Sequence, residues 1–351
     1  MISTRALMLV SATVSAELRR EVAQGGRPRP EFLELEARGV ELLDWSRLPG
    51  SPGRRSARAA MLQVAAALPR LRRMDAVFSD SEQVGIPLAL AMLATGARTR
   101  HLMLGHHLSN GRKPALLRRL RPQRRVDRIL VHSPRQLELA AGELGIPVAR
   151  LTFDPYFVDT DFWSPRPGIR EEPLIVSAGL EHRDYATLAA AWEGRPEPVF
   201  VAAGSVHSPG AAARLPVRWP DGFRVEGVAP ARLRDLYARA SVVVVPVVET
   251  DFQAGITVVL EAMAMGKAVV ATAAAGWAGA ITHGADGLLV PPGDVVALRG
   301  AMALLFDDPR LRARLGRVAR QTAVTRFGLP AYADRLQGHL EDLGGTLRAA
   351  A

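Results

Sequence analysis

The chain contains no cysteine in its 351 residues. This excludes a disulfide framework, a thiolate zinc centre and a cysteine nucleophile, and it suits a reducing compartment. Aromatic residues make up only 5% of the chain. The densest basic stretch, Arg112–Arg125, has none interleaved, so the stacking platform of a nucleic-acid-binding module is missing and no nucleic-acid partner is expected. No apolar run reaches the roughly 18 residues that a membrane-spanning helix requires. No G-x-G-x-x-G follows an apolar strand, which disfavours a dinucleotide-dependent dehydrogenase.

What is present is the composition of a globular protein, 48% hydrophobic and 23% charged. The net charge of +10, carried mostly by arginine, favours anionic partners such as nucleotide phosphates or acidic lipid headgroups. The length exceeds one ordinary core, so two domains are expected. Ala6–Ala16 reads either as a first buried strand with its loop or as the apolar region of a signal peptide. The strand is preferred, because a single Arg5 is a thin basic flank and the missing cysteine argues against export.

The stretch Val242–Thr272 organises the rest. Val242–Val248 is apolar and β-branched apart from Pro246, as in a strand buried on both faces. A polar loop, Glu249–Gly255, leads into a helix, Ile256–Met265, which carries Glu261. Gly266 fits the end of that helix, and Lys267–Thr272 is a second buried strand. Such a unit points a helix N-terminus and polar side chains at one edge of a parallel sheet. That edge is where open α/β sheets bind ligands and where helix ends bind phosphate.

Strand candidates in the first half are Leu7–Val10, Val40–Leu43, Ala76–Phe78, His101–Leu104 and Arg128–Val131, with helices over Ser56–Met74 and Ile86–Ala94. This alternation predicts a parallel, doubly wound sheet. Two loops carry reactive groups. Ser79-Asp80-Ser81-Glu82-Gln83 follows the third strand and reads either as helix capping, with Ser81 or Asp80 as N-cap and Glu82 in the first turn, or as a contact to an acceptor substrate. His106 and His107 follow the fourth; adjacent positions on an extended chain face opposite ways, so they make no metal site. Arg112–Arg125 has seven basic residues, no acidic one, and a small apolar stripe at Leu116, Leu117 and Leu120. It reads as a solvated basic face or as a dock for an anionic membrane surface. Asp154–Pro167 has the composition of a linker.

The second half repeats the alternation, with strands at Leu174–Ser177, Pro198–Ala203, Arg224–Val225 and Gly287–Val290 and helices at Tyr185–Trp192, Arg232–Ala240, Val295–Phe306 and Leu311–Thr325. A last helix over Pro330–Leu347 has an apolar stripe at Leu336, Leu340 and Leu343.

Two segments of this half carry a family resemblance. Glu261–Thr272 reads E-A-M-A-M-G-K-A-V-V-A-T, and Gly284–Asp294 reads G-A-D-G-L-L-V-P-P-G-D. Together with the helix Arg232–Ala240, they resemble the nucleotide-binding domain of the retaining family 4 glycosyltransferases over about residues 170–330. The resemblance implies two Rossmann-like, doubly wound parallel-sheet domains facing a central cleft, the GT-B fold. The expected boundaries are 1–165 for an acceptor-side domain, 166–330 for the nucleotide-sugar-binding domain, and 331–351 for a helix that packs back on the first domain.

The implied activity is transfer of a hexose-type sugar, with retention, from a nucleotide-diphosphate sugar to an acceptor hydroxyl on a lipid, a glycan or a small molecule. No metal or other cofactor is implied, and the expected location is cytoplasmic, with peripheral contact at the inner membrane face as an option. By resemblance Glu261 binds the ribose hydroxyls. Arg183 and the N–H groups of Gly255, Thr257, Val258 and Val259 hold the diphosphate, the base lies over Gly227 and Val228, and His106, with His107 as the alternative, touches the sugar. Gln253 stands where the family usually has its first glutamate, and Leu180 stands where a second cation is usual. Other classes considered are a nucleotide-sugar-binding protein without turnover and an epimerase or phosphorylase on the same architecture. The last two need an acid/base pair or a cofactor lysine that the chain does not display.

Overall fold

The computed structural model describes residues 4–50, 56–109, 111, 113–203, 215–277 and 279–349. Residue 112 of the basic stretch lies outside them. The chain divides into two units, one of residues 4–24, 29–155 and 330–349, the other of residues 25–28 and 156–329.

The first unit is a six-stranded sheet of β1 (Ala6–Leu9), β2 (Glu41–Leu43), β3 (Ala76–Ser79), β4 (Arg100–Leu104), β5 (Arg128–Val131) and β6 (Leu151–Phe153). Its order is β2-β1-β3-β4-β5-β6, and every pairing is parallel. The helices are α1 (Ala16–Ala23), α2 (Glu31–Ala37), α3 (Ala57–Leu71), α4 (Glu82–Thr95), α5 (Lys113–Leu120) and α6 (Pro134–Gly142). Leu7, Leu9 and Val77 pack with α3 and α4, while Met103 and Ile129 pack with α5 and α6. The alanine-rich α3 starts where the Ser56 side chain accepts from Ala59 N, at 3.1 Å, satisfying one of its orphan donors. Ala6–Leu9 is therefore a buried strand in mid-sheet.

The second unit holds β7 (Ile175–Ala178), β8 (Val199–Ala202), β9 (Phe223–Glu226), β10 (Val242–Val245), β11 (Ala268–Thr272) and β12 (Leu288–Val290) in the order β12-β11-β10-β7-β8-β9, again all parallel. Its helices are α7 (Tyr185–Trp192), α8 (Pro230–Arg239), α9 (Ile256–Ala264), α10 (Val295–Asp307) and α11 (Pro309–Phe327). Alternate strand residues feed two cores, as a parallel sheet covered on both faces requires. Val243, Val245, Val269 and Ala271 join α8, α9 and α11. Val242, Val244, Ala268 and Val270 join α7 and α10.

Several expectations change here. The strand expected over Val242–Val248 stops at Val245, because Pro246 has no N–H to continue the ladder. Val158, Phe162 and Trp163, in the expected linker, are buried in the second unit's core. The last helix, α12 (Leu329–Ala349), buries Leu336 and Leu340 completely, and Arg335 pairs with Asp154, the residue after β6.

Candidate functional site

Each sheet has a point where the strand order reverses, and the two loops flanking that point open a crevice at the strand C-termini. In the second unit it lies between β7 and β10. The loop after β7 is stitched to the loop after β10: Asp184 N donates to Pro246 O at 3.0 Å and Val248 N to His182 O at 3.0 Å. Arg183 lies in the seam and is only 4% exposed. Its Nε donates to Ala178 O and its Nη1 to Glu181 O, each at 2.8 Å. Burial lowers its pKa, and Tyr185, Tyr237, Glu181 and Glu261 oppose that shift.

Gly255 precedes α9 with φ of 84°, a left-handed conformation that suits glycine. A Cβ there would come within 3.0 Å of Arg183 Nη1 and of Val245 Cγ1. The glycine thus lets the guanidinium approach the helix N-terminus. Val259 N donates to Gly255 O, closing the first helical bond at 3.2 Å. Its N–H is spent, so the expected anion-binding set reduces to the N–H groups of Thr257 and Val258, with Gly255 supplying the turn. At its other end α9 closes in a Schellman motif, with Gly266 N bonded to Met263 O and Lys267 N to Ala262 O.

Glu261 is buried at 9% exposure, so it is not a surface carboxylate. Burial pushes its carboxyl from 4.5 up to about 8, against a hydrogen bond from Tyr237 and the charge of Arg183. Tyr237 Oη donates to Oε2 at 3.3 Å. The sequence reading missed Tyr237; the only available signal was a tyrosine on the helix preceding β10. Gln253 is half-buried, and its Oε1 is enclosed without a hydrogen-bond partner. Glu249 Oε1 accepts from Ala275 N at 2.8 Å, so that carboxylate braces the loop. Gly227 and Val228 follow the edge strand β9. They stand three strand spacings from β10, about 14 Å at roughly 4.8 Å each.

The first unit reverses between β1 and β3. Asp80 caps no helix there: it accepts from Ser11 N at 2.5 Å and from Ser11 Oγ at 2.6 Å, closing the glycine-free loop after β1. Ser81 is the N-cap of α4 but makes no side-chain cap bond. Glu82 is 3% exposed with both oxygens engaged, by Lys113 Nζ at 2.5 Å and His106 N at 3.0 Å. It is an internal anchor in the first turn of α4, where the capping alternative puts it. Its carboxyl is held at about 2, because His106 and Lys113 together outweigh the burial that pushes it up. His106 and His107 are half-buried at the end of β4.

In the basic stretch Leu117 is buried and Leu120 is 50% exposed, so the stripe is shorter than its spacing suggested. Arg118, Arg119, Arg121 and Arg124 are exposed, while Arg125 donates to Ala97 O and Thr99 O. Asp159 of the triplet Asp159-Thr160-Asp161 accepts from Asp161 N and Phe162 N in a turn. Among the described residues no group of three or more His, Asp or Glu side chains converges as a metal site, and no helix is long and apolar enough to cross a membrane.

Residues 185–308, all within the second unit, match the family model "Glycosyl transferases group 1". A D-inositol 3-phosphate glycosyltransferase of Pseudarthrobacter chlorophenolicus is 37% identical over 123 residues, which are 32% of this chain and 29% of the relative. The chain spans less than a third of the length of the curated relatives it matches. The sucrose-phosphate synthase of Thermosynechococcus elongatus superposes with a TM-score of 0.73 at 19% identity, covering 99% of this chain and all of the other. Anabaena HepE in complex with UDP-glucose gives 0.70 at 16% identity, over 97% and 100% of the two chains. The fold is GT-B.

Proposed function

We propose that this chain is a nucleotide-sugar-dependent, retaining glycosyltransferase that moves a hexose-type sugar to an acceptor hydroxyl without a bound metal. The observation that carries the reading is the convergence of Arg183, the N-terminus of α9 and the buried Glu261 at the β7/β10 switch point of a group 1 domain. A diphosphate at the α9 N-terminus would meet the N–H groups of Thr257 and Val258 and Arg183 Nη2. Glu261, one and a half turns further along, would take the ribose hydroxyls, with Tyr237 holding one of its oxygens. The base would extend toward Gly227 and Val228. HepE is a fold neighbour whose ligand is UDP-glucose, which supports the same donor class here.

In the reaction, the bond between the anomeric carbon and the leaving phosphate oxygen breaks, and the acceptor oxygen bonds on the same face. The acceptor's proton passes to the departing diphosphate. Negative charge grows on that diphosphate, so preorganised donors aimed at it lower the barrier. Gln253, with its enclosed, unpaired amide oxygen, is assigned to the sugar of the bound donor. The same uncharged Gln253 supports the second reading, a nucleotide-sugar-binding protein without turnover.

Nucleotide release from UDP-, GDP- and dTDP-sugars, with and without acceptors, separates the two. One donor is expected to be hydrolysed slowly, and Arg183→Ala to cut that rate by roughly 10-fold or more, since one charge-assisted contact in a dry site is worth at least about 1.4 kcal/mol. Binding of a donor without release under any condition would refute the transferase reading.

A further inference from the structure

The edge of the first sheet where the strands begin, away from its switch-point crevice, is lined with arginine. The turns entering β3, β4 and β5 carry Arg72, Arg73, Arg98, Arg121 and Arg124, and the last turn of α5 adds Arg118 and Arg119. All seven are exposed. Among the described residues none of the seven has an acidic partner. Carboxylates nearby are engaged by other arginines: Asp75 by Arg5 at 3.0 Å, Asp127 by Arg100 at 2.8 Å and Asp342 by Arg128 at 3.4 Å. Glu143, at the end of α6, is exposed and offsets one charge.

Arginines near helix C-termini commonly serve the unpaired carbonyls there. Here other arginines do so. Arg125 donates to Ala97 O at 3.0 Å and to Thr99 O at 2.9 Å, and Arg150 to Gln123 O at 2.8 Å and Val126 O at 2.6 Å. Thr99 Oγ1 donates to Leu71 O at 2.7 Å. These bonds tie the turns entering β3 to β6 into one surface, three strand spacings or about 14 Å across at roughly 4.8 Å each. The seven exposed guanidinium groups take no part in them.

Aliphatic side chains stand among the arginines. Leu93 in the last turn of α4 is 45% exposed, Leu120 at the end of α5 is 50% exposed, and Val148 before β6 is 65% exposed. Residues 70–75, 91–100 and 113–131 contain no Phe, Tyr or Trp. Guanidinium groups beside bare aliphatic carbon suit an anionic bilayer. Lipid phosphates pair with the arginines, and the aliphatic groups enter the headgroup boundary. A nucleic acid would match the charge, but it would leave the leucines in water and find no ring to stack on.

We propose that this edge of the first unit docks on a bilayer containing anionic phospholipid. Docking there turns the C-terminal ends of the same strands away from the lipid, so a ligand in solution reaches them unhindered. The proposal is independent of the transferase reading, since it needs no donor.

The test is sedimentation of the full chain with vesicles of phosphatidylcholine alone and of equal parts phosphatidylcholine and phosphatidylglycerol. Wild type should pellet with the mixed vesicles and stay in solution with the neutral ones. Arg118→Gln/Arg119→Gln/Arg124→Gln removes three charges. At about 5-fold for each charge near an anionic surface, it should lower the partition coefficient roughly 100-fold. Leu93→Ser/Leu120→Ser should lower it roughly 10-fold while retention on heparin stays that of wild type. Every altered side chain is exposed, so both variants should keep the wild-type melting temperature. Wild type that pellets with neither vesicle or equally with both would overturn the proposal. So would an arginine variant that partitions as wild type does, or a leucine variant unchanged on vesicles or equally weakened on heparin. Displacement from the mixed vesicles by single-stranded RNA at equal phosphate concentration would make a nucleic acid the better occupant and overturn it too.

Discussion

At the residue scale, the site is held together by buried polar groups whose partners come from distant parts of the chain. Glu261 shows the consequence. Unfolded, its carboxyl ionises near 4.5; folded, burial moves it to about 8. Between those values the folded chain keeps a proton that the unfolded chain has lost, so stability falls as pH rises through that window. Glu261→Gln removes the titration and keeps an oxygen for the Tyr237 hydroxyl. Thermal melts should therefore show the variant gaining on wild type as pH rises from 4.5 to 8, with no further gain above; a constant offset across the window would refute the raised carboxyl. The carboxylate itself was legible, because it stands in a run of family-like residues. Its proton was not, because Tyr237, 24 residues earlier, and Arg183, on another strand's loop, are adjacent only in the fold. The pairing of Glu82 with Lys113 was not legible for the same reason: they stand 31 residues apart, and the sequence shows only a first-turn carboxylate and one charge of a basic stretch.

At the scale of elements, strands and long helices were legible because most parallel strands are short apolar runs and several helices carry a side-chain cap. Asp184, Asp294 and Asp308 each cap a helix with a side-chain oxygen. The edge strand β6, three residues with Phe153 40% exposed, and the short helices α1, α2 and α6 were missed, since none has a long apolar face. The loop after β10 depends on a close backbone approach. Gly276 donates to Thr250 O at 3.1 Å, and a Cβ on it would lie 2.0 Å from Phe252 O. Trp277 Nε1 completes the brace by donating to Ala254 O at 2.7 Å, next to Gly255. Gly276→Ala has to displace this loop. It should cost about 1–3 kcal/mol of stability, the range for overpacking, and should weaken nucleoside diphosphate binding. Denaturant melts and calorimetry on the same preparation check both, and a variant with wild-type values in both would show that the brace does not set the site.

At the scale of the whole molecule, two six-stranded parallel sheets with different strand orders each place a switch point at the C-terminal ends of their strands. Fold class and number of sheets were legible from the β-α alternation alone, whereas the strand orders became visible only with the pairings. The two switch points differ in chemistry. The second unit offers a helix N-terminus, a buried arginine and a buried carboxyl. The first unit offers a histidine loop clamped by an ion pair, and its Asp80 is engaged by Ser11. The account's central claim is that the β7/β10 switch point, organised by Glu261, is the nucleotide site. Calorimetric titration of wild type and Glu261→Ala with UDP, GDP and dTDP tests this most directly. The account predicts that wild type binds one of the three and that Glu261→Ala, still folded by circular dichroism, loses that binding by about 100-fold or more, as expected when a buried group that pairs two ligand hydroxyls is removed. Equal affinity in the two proteins would contradict it.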